Sequence, residues 1–88
     1  MNLDEIAFLR DLGSRIRDRR TARGLTQAQL GEQCILHRTF IGSVERGERN
    51  VSILNLRTIA RVLRVPLPEL FAGPSQAGKS GKRGQTGS

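Results

Sequence analysis

A chain of 88 residues makes one small domain, with too little core to wall an elaborate catalytic cleft. Fifteen basic residues against eight acidic ones leave a net charge of +7, an excess that suits a polyanionic partner, either nucleic acid or an anionic membrane surface. No run of about 18 apolar residues exists to span a bilayer, and MNLDEIAFLR carries acids where a secretory leader needs bases. The expectation is therefore a cytoplasmic protein with no membrane partner.

Taken in chain order, Ile6, Leu9, Gly13, Ile16 and Arg20 follow the spacing of one helix face, with Leu12 beside it, and Gly24 ends that helix. Arg15, Arg17, Arg19 and Arg23 on it read as mostly solvated charges. Thr26 opens a second helix, because T-x-x-Q from Thr26 to Gln29 is a capping-box pattern. Ala28, Leu30, Gly31 and Cys34 keep its packed side small. A break at Ile35–Leu36 follows, and His37 caps a third helix that Gly47 stops. Ser52 caps a fourth, in which Ile53, Leu56, Ile59, Ala60 and Leu63 form an apolar stripe. Pro66 ends it, and LPELF supplies a last short turn. Five helices without a strand or an internal repeat predict an all-α fold.

Cys34 is the only cysteine, so an internal disulfide is impossible. It reads as a small apolar residue buried at a helix end. Its C-x-x-H spacing with His37 lacks any further Cys or His, and neither a metal site nor a cofactor is expected. The folded domain is expected to run over residues 1–73. Residues 74–88, PSQAGKSGKRGQTGS, hold one alanine and no other apolar residue, so they are expected to form a disordered basic tail. Residues 1–72 hold 12 Arg, 8 acids and no Lys, a net +4, and the tail adds +3.

The stretch HRTFIGSVERGERN, residues 37–50, has an unusual surface for a soluble helix. Ile41 and Val44 share one face, while Arg38, Thr39, Gly42 and Ser43 point elsewhere, where a plain surface helix would carry Glu, Lys and Gln. Two short helices separated by a break of three or four residues make a helix-turn-helix pattern, with Gly31 small where the helices cross. Ile41 and Val44 then anchor the second of these helices. Arg38, Thr39, Gly42 and Ser43 are left at its N-terminal half, which is where a recognition helix meets base edges. Arg can fork onto guanine O6 and N7, Thr and Ser can take either hydrogen-bonding polarity, and Gly42 would let the backbone approach the groove.

At this point the sequence resembles a known family. GLTQAQL followed by HRTFIGSVERGERNVSILNLRTIARVL is similar to helix-turn-helix regulators of the phage repressor and Cro type. Within that group it is most similar to the controller proteins of restriction–modification systems, over about residues 9–72. The resemblance implies a five-helix repressor-like domain acting as a homodimer on double-stranded DNA with an inverted-repeat operator. Such a protein regulates its own gene and that of the endonuclease, with RNA polymerase as a further partner. It implies base contacts from Arg38, Thr39 and Ser43, and phosphate contacts from Thr26 and Gln27 at the start of the second helix and from Arg46, Arg49 and Asn50. It also implies an internal pair between Arg20 and Glu45, which their places beside apolar anchors favour over two solvated surface charges. The family has Gly or Asn where this chain has Ile35, so either the turn is remodelled or Ile35 carries strain. Phe40 can act as a DNA-facing wedge or pack at the domain edge, and Arg46 and Arg49 can meet phosphates or simply solvate their loop.

One recognition helix covers about four or five base pairs, so two copies are expected to act together. Leu67, Leu70 and Phe71 crowd into five residues. One or two of them can fill the core, and the remainder would form an apolar dimer interface, unless the turn merely caps the core. Two rival functions remain. GPSQAGKS, Gly73 to Ser80, matches G-x-x-x-x-G-K-[ST], but it lacks the preceding strand, the following helix and any later carboxylate that an NTPase needs, so no enzyme is expected. An antitoxin-like protein that also binds a protein partner would display the same DNA-binding helix, and a pull-down would separate it from a plain regulator.

Overall fold

The structure, a computed structural model, describes residues 2–72. The tail at 74–88, the boundary at Gly73 and the Gly73–Ser80 match lie outside the described residues. Five helices occupy residues 2–72, and each of the first four begins with a side chain that satisfies an otherwise unpartnered amide. α1 (Leu3–Ala22) starts with a reciprocal cap, in which the Glu5 amide donates to Asn2 and the Asn2 amide to Glu5. In α2 (Gln27–Cys34) the Gln29 amide donates to Thr26 Oγ1 at 3.0 Å and the Thr26 amide to Gln29 Oε1 at 2.8 Å. That is the capping box read from T-x-x-Q. At α3 (Arg38–Glu45) His37 Nδ1 accepts from the Thr39 amide, and at α4 (Ile53–Leu63) Ser52 Oγ accepts from the Asn55 amide. α5 (Leu67–Ala72) is a short final helix.

α2 and α3 pack on each other, α1 supports α3, α4 supports α2, and α5 lies on α1 and α4. Their shared core is built from Leu12 and Ile16 of α1, Leu30 and Cys34 of α2, Ile41 and Val44 of α3, and Leu56, Ile59, Ala60 and Leu63 of α4. Leu70 completes it with no solvent exposure, so it is a core residue and not part of an exposed dimer patch. Two further expectations change. Ala28 is exposed on the outer side of α2, and Ile53, read as part of the α4 stripe, is 59% exposed.

The arginines of α1 are not all solvated. Arg19 Nη2 donates to Glu69 Oε1 at 2.7 Å, and Arg15 Nη1 donates to the Phe71 carbonyl at 2.8 Å. Phe8 stacks on Phe71 with ring centroids 6.0 Å apart. α5 is thereby fastened to α1, which consumes much of the surface that its apolar residues would otherwise present.

Between α2 and α3 the chain reverses through Ile35, at φ 58° and ψ 46°. The Leu36 amide donates to the Gly31 carbonyl at 2.8 Å, closing the turn. A Cβ on Gly31 would press on the Leu36 carbonyl oxygen, so it is this returning turn, rather than a helix crossing, that demands glycine there. The turn is therefore left-handed and not remodelled, and Ile35 carries the strain, about 1–2 kcal/mol for a left-handed residue with a Cβ. Its side chain is 90% exposed and recovers little by packing. Arg64 closes α4 in the same conformation, at φ 61°. Ile35→Asn, which relieves part of this strain, is expected to stabilise the fold by about 1 kcal/mol. Thermal melting should then show a rise of roughly 4–8 °C, and an unchanged or lower midpoint would show that Ile35 contributes elsewhere.

Candidate nucleic-acid interface

α3 has only eight residues, too few to hold helical shape in water unaided. Its inner face carries the burden. Ile41 and Val44 are buried in the core, and Glu45 at its last position is buried too, with a side chain 2% exposed. A carboxylate at a helix C-terminus opposes the helix dipole and, when buried, needs donors on its oxygens. Arg20 of α1 supplies two, Nε to Oε2 at 2.6 Å and Nη2 to Oε1 at 3.1 Å, and Gln27 Nε2 supplies a third to Oε1 at 3.0 Å. The Arg20 Nη1 group donates to the Leu25 carbonyl at 2.8 Å, which ties the α1–α2 connection into the same cluster. The Arg20–Glu45 pair is thus internal. The cluster fixes α1, the start of α2 and the end of α3 relative to one another.

The outer side of α3 is differently built. Arg38 and Thr39 are exposed at its first turn. His37 Nδ1 accepts from the Thr39 amide at 3.1 Å and lies 2.8 Å from Thr39 Oγ1. With that nitrogen already an acceptor, the Thr39 hydroxyl is the donor in the second contact, and its free capacity is its lone pairs and its methyl group. Ser43 is half-buried. Its hydroxyl donates to the Phe40 carbonyl at 2.8 Å and accepts from Arg49 Nε at 3.3 Å, so its one proton is spent within the protein. Toward a base edge it can act only as an acceptor.

Phe40 is half-buried against the core and carries the Arg49 guanidinium over its ring, 5.3 Å from the centroid. It therefore packs at the domain edge as a platform for Arg49. Arg46 and Glu48 pair at 3.1 Å in solvent, an exposed contact worth at most about 1 kcal/mol. Asn50 is exposed and lines an open concavity with Asp4, Glu5 and Phe8 of α1. Gly42 does not face outward as expected. It is buried, because Gln27, reaching for Glu45, lies across it together with Arg46.

The structure thus brings Thr26, Gln27, Arg38, Thr39, Ser43, Arg46 and Arg49 to the side formed by α2's start, α3 and the following loop, while Leu67 and Phe71 lie on α5, which packs on α1 and α4. Burial pushes the Cys34 thiol up, keeping it protonated. His37 is committed to its capping role. No group of three or more His, Cys, Asp or Glu is placed to hold a metal among the described residues.

Residues 16–70 match the helix-turn-helix family. The chain belongs to that family of DNA-binding regulators. Within it, the chain is 45% identical over 60 residues to the control protein C.SmaI of Serratia marcescens, covering 68% of this chain and 71% of that one. It is 39% identical over 60 residues to the control protein C.BamHI of Bacillus amyloliquefaciens, covering 67% and 74%. The crystal structure of the restriction–modification controller protein C.AhdI from Aeromonas hydrophila superposes with a TM-score of 0.74 at 44% identity, over 77% of this chain and 99% of that one. This regulator stands close to the restriction–modification control proteins, and its relatives are transcription regulators rather than enzymes. No helix among the described residues is long and apolar enough to cross a membrane.

The sequence reading missed the Asn2 cap, although N-x-x-E at Asn2–Glu5 is a readable signal, and the positioning of Arg49 by Ser43 and Phe40, for which spacing carries no signal. In this regulator Glu45→Ala is expected to cost about 3 kcal/mol, since it leaves Arg20 largely buried with one partner fewer. Urea denaturation measures this, and a loss below about 1 kcal/mol would show that the cluster contributes little.

Proposed function

We propose that this protein is a restriction–modification controller that acts in the cytoplasm as a homodimer on an inverted-repeat operator. The observation that carries the reading is the division of α3. Its inner face is locked by Ile41, Val44 and Glu45, while Arg38 and Thr39 stand free at the end that a recognition helix offers to base edges. Arg38 forks onto a guanine, Thr39 meets a base through its methyl group or oxygen, and Ser43 accepts from an adenine or cytosine amino group. Thr26 and Gln27 at the start of α2, with Arg46, Arg49 and Asn50 beyond α3, hold the phosphates that fix the helix in register. RNA polymerase is a further partner where the operator adjoins a promoter.

Two recognition helices in successive major grooves lie about 34 Å apart, which puts the two-fold axis within about 17 Å of each. α5 supports this poorly. Leu70 is in the core, and Leu67 and Phe71 sit on a helix that packs on α1 and α4, whereas α3 packs on α1 and α2. The start of α4 suits it better. It follows α3 after the short loop and leaves Leu54 65% exposed beside Ile53, an apolar surface that a second copy would cover. We therefore move the dimer face from Leu67 and Phe71 to Ile53 and Leu54.

Two measurements test this. Arg38→Ala should lose about 1–3 kcal/mol on a duplex selected by the wild type from random sequence and relax one base position. Intact sequence preference would remove α3 from the groove. Sedimentation at micromolar concentration should find wild type and Phe71→Glu dimeric and Leu54→Glu monomeric, and the reverse pattern would return the interface to α5.

A further inference from the structure

Gly42 lies in the middle of a helix, where glycine costs roughly 0.5–1 kcal/mol relative to alanine, and its φ is ordinary for a helix. Conformational freedom does not account for it. A Cβ built on Gly42 would lie 3.2 Å from Gln27 Oε1 and 3.2 Å from Arg46 Nη1, with no backbone atom of another element nearer. Two side chains from different elements therefore converge on the space that a methyl group would take.

Both side chains have a partner, a buried one for Gln27 and a solvent-exposed one for Arg46. Gln27 Nε2 is held by the buried Glu45 carboxylate, which turns the amide oxygen toward Gly42, and Arg46 Nε is held by Glu48 at 3.1 Å. Gln27 keeps the second hydrogen of its Nε2 group, and Arg46 keeps the terminal nitrogens of its guanidinium. Both sets of donors suit a phosphate oxygen.

We infer that Gly42 is a positioning residue. By lacking a Cβ it seats the Gln27 amide and the Arg46 guanidinium together over α3, so that both grip one backbone phosphate. This rests on the proposed docking of α3 with phosphates at the start of α2. It goes further in pairing Gln27 with Arg46 and in assigning the glycine a role in sequence-independent affinity rather than in groove approach. Alanine at this position would press on both side-chain ends, each of which must give by a few tenths of an ångström, and that shift loosens the shared seat. The atoms it meets are side-chain ends, so the fold accommodates it.

The test uses the full chain with Gly42→Ala, Gln27→Ala and the double variant, against two probes: a duplex selected by the wild type and a mixed-sequence duplex. Gly42→Ala should keep its melting temperature within about 4 °C. It should weaken binding to both duplexes by a similar factor, about three- to tenfold, and reduce the slope of log affinity against log salt by about 0.9, one phosphate contact. In the Gln27→Ala background most of this effect should vanish, since the two substitutions remove the same grip. An unchanged salt slope, a fully additive double variant, a large fall in melting temperature, or a loss confined to the selected duplex would each overturn the inference. If the wild type binds neither duplex, the underlying reading of α3 fails instead.

Discussion

The buried carboxylate of Glu45 is the constraint on which the arrangement of this domain turns. It ends α3, where the helix dipole disfavours negative charge, and it is shielded from water that would otherwise solvate it. Arg20 and Gln27 together give it three hydrogen bonds. A buried ion pair adds little net stability over an apolar replacement, but breaking one is costly. What it supplies here is geometry, because the three elements that donate and accept can meet in one relative placement.

That placement sets what each surface of the domain can do. α3 is too short to stand alone, and Ile41 and Val44 hold it from below while Glu45 fixes its far end. Its first turn is left free, and it is there that Arg38 and Thr39 lie exposed. The side chain of Gln27 is held internally by one hydrogen and keeps another. Ser43 and Phe40 are likewise half committed, steadying Arg49 along the helix. The left-handed Ile35 belongs to the same economy of space, since the turn must fold back closely enough to satisfy the Gly31 carbonyl.

Much of this was legible in the residues because the signals are local. T-x-x-Q, His37 and Ser52 mark helix starts through hydrogen bonds spanning two or three residues, and the spacing of Leu12, Ile16, Ile41, Val44, Leu56 and Leu63 marks the inner faces. The helix-turn-helix pattern follows from them. Periodicity fails where a helix is wider than its partner, so Ile53 reads as core although no element covers it, and Ala28 likewise. Leu70, Leu67 and Phe71 cannot be sorted by spacing, because which of them is buried depends on where α5 lands on α1. The same limit applies to the site. Arg38 and Thr39 follow from the register of α3, whereas Gly42 takes its meaning from Gln27, fifteen positions earlier, and Arg15 and Arg19 from α5 residues 56 and 50 positions later.

In the proposed mode of binding, one side of the molecule, made by the start of α2, the first turns of α3 and the loop after it, meets DNA. Amide chemical-shift mapping of the isotope-labelled protein on addition of a selected duplex tests it most directly. Perturbations should gather at residues 26–28, 37–43 and 46–50 and spare the outer side of α1 at Asp11, Ser14 and Asp18. Perturbations centred instead on the exposed α4 arginines Arg57 and Arg61, with residues 37–43 unmoved, would contradict it.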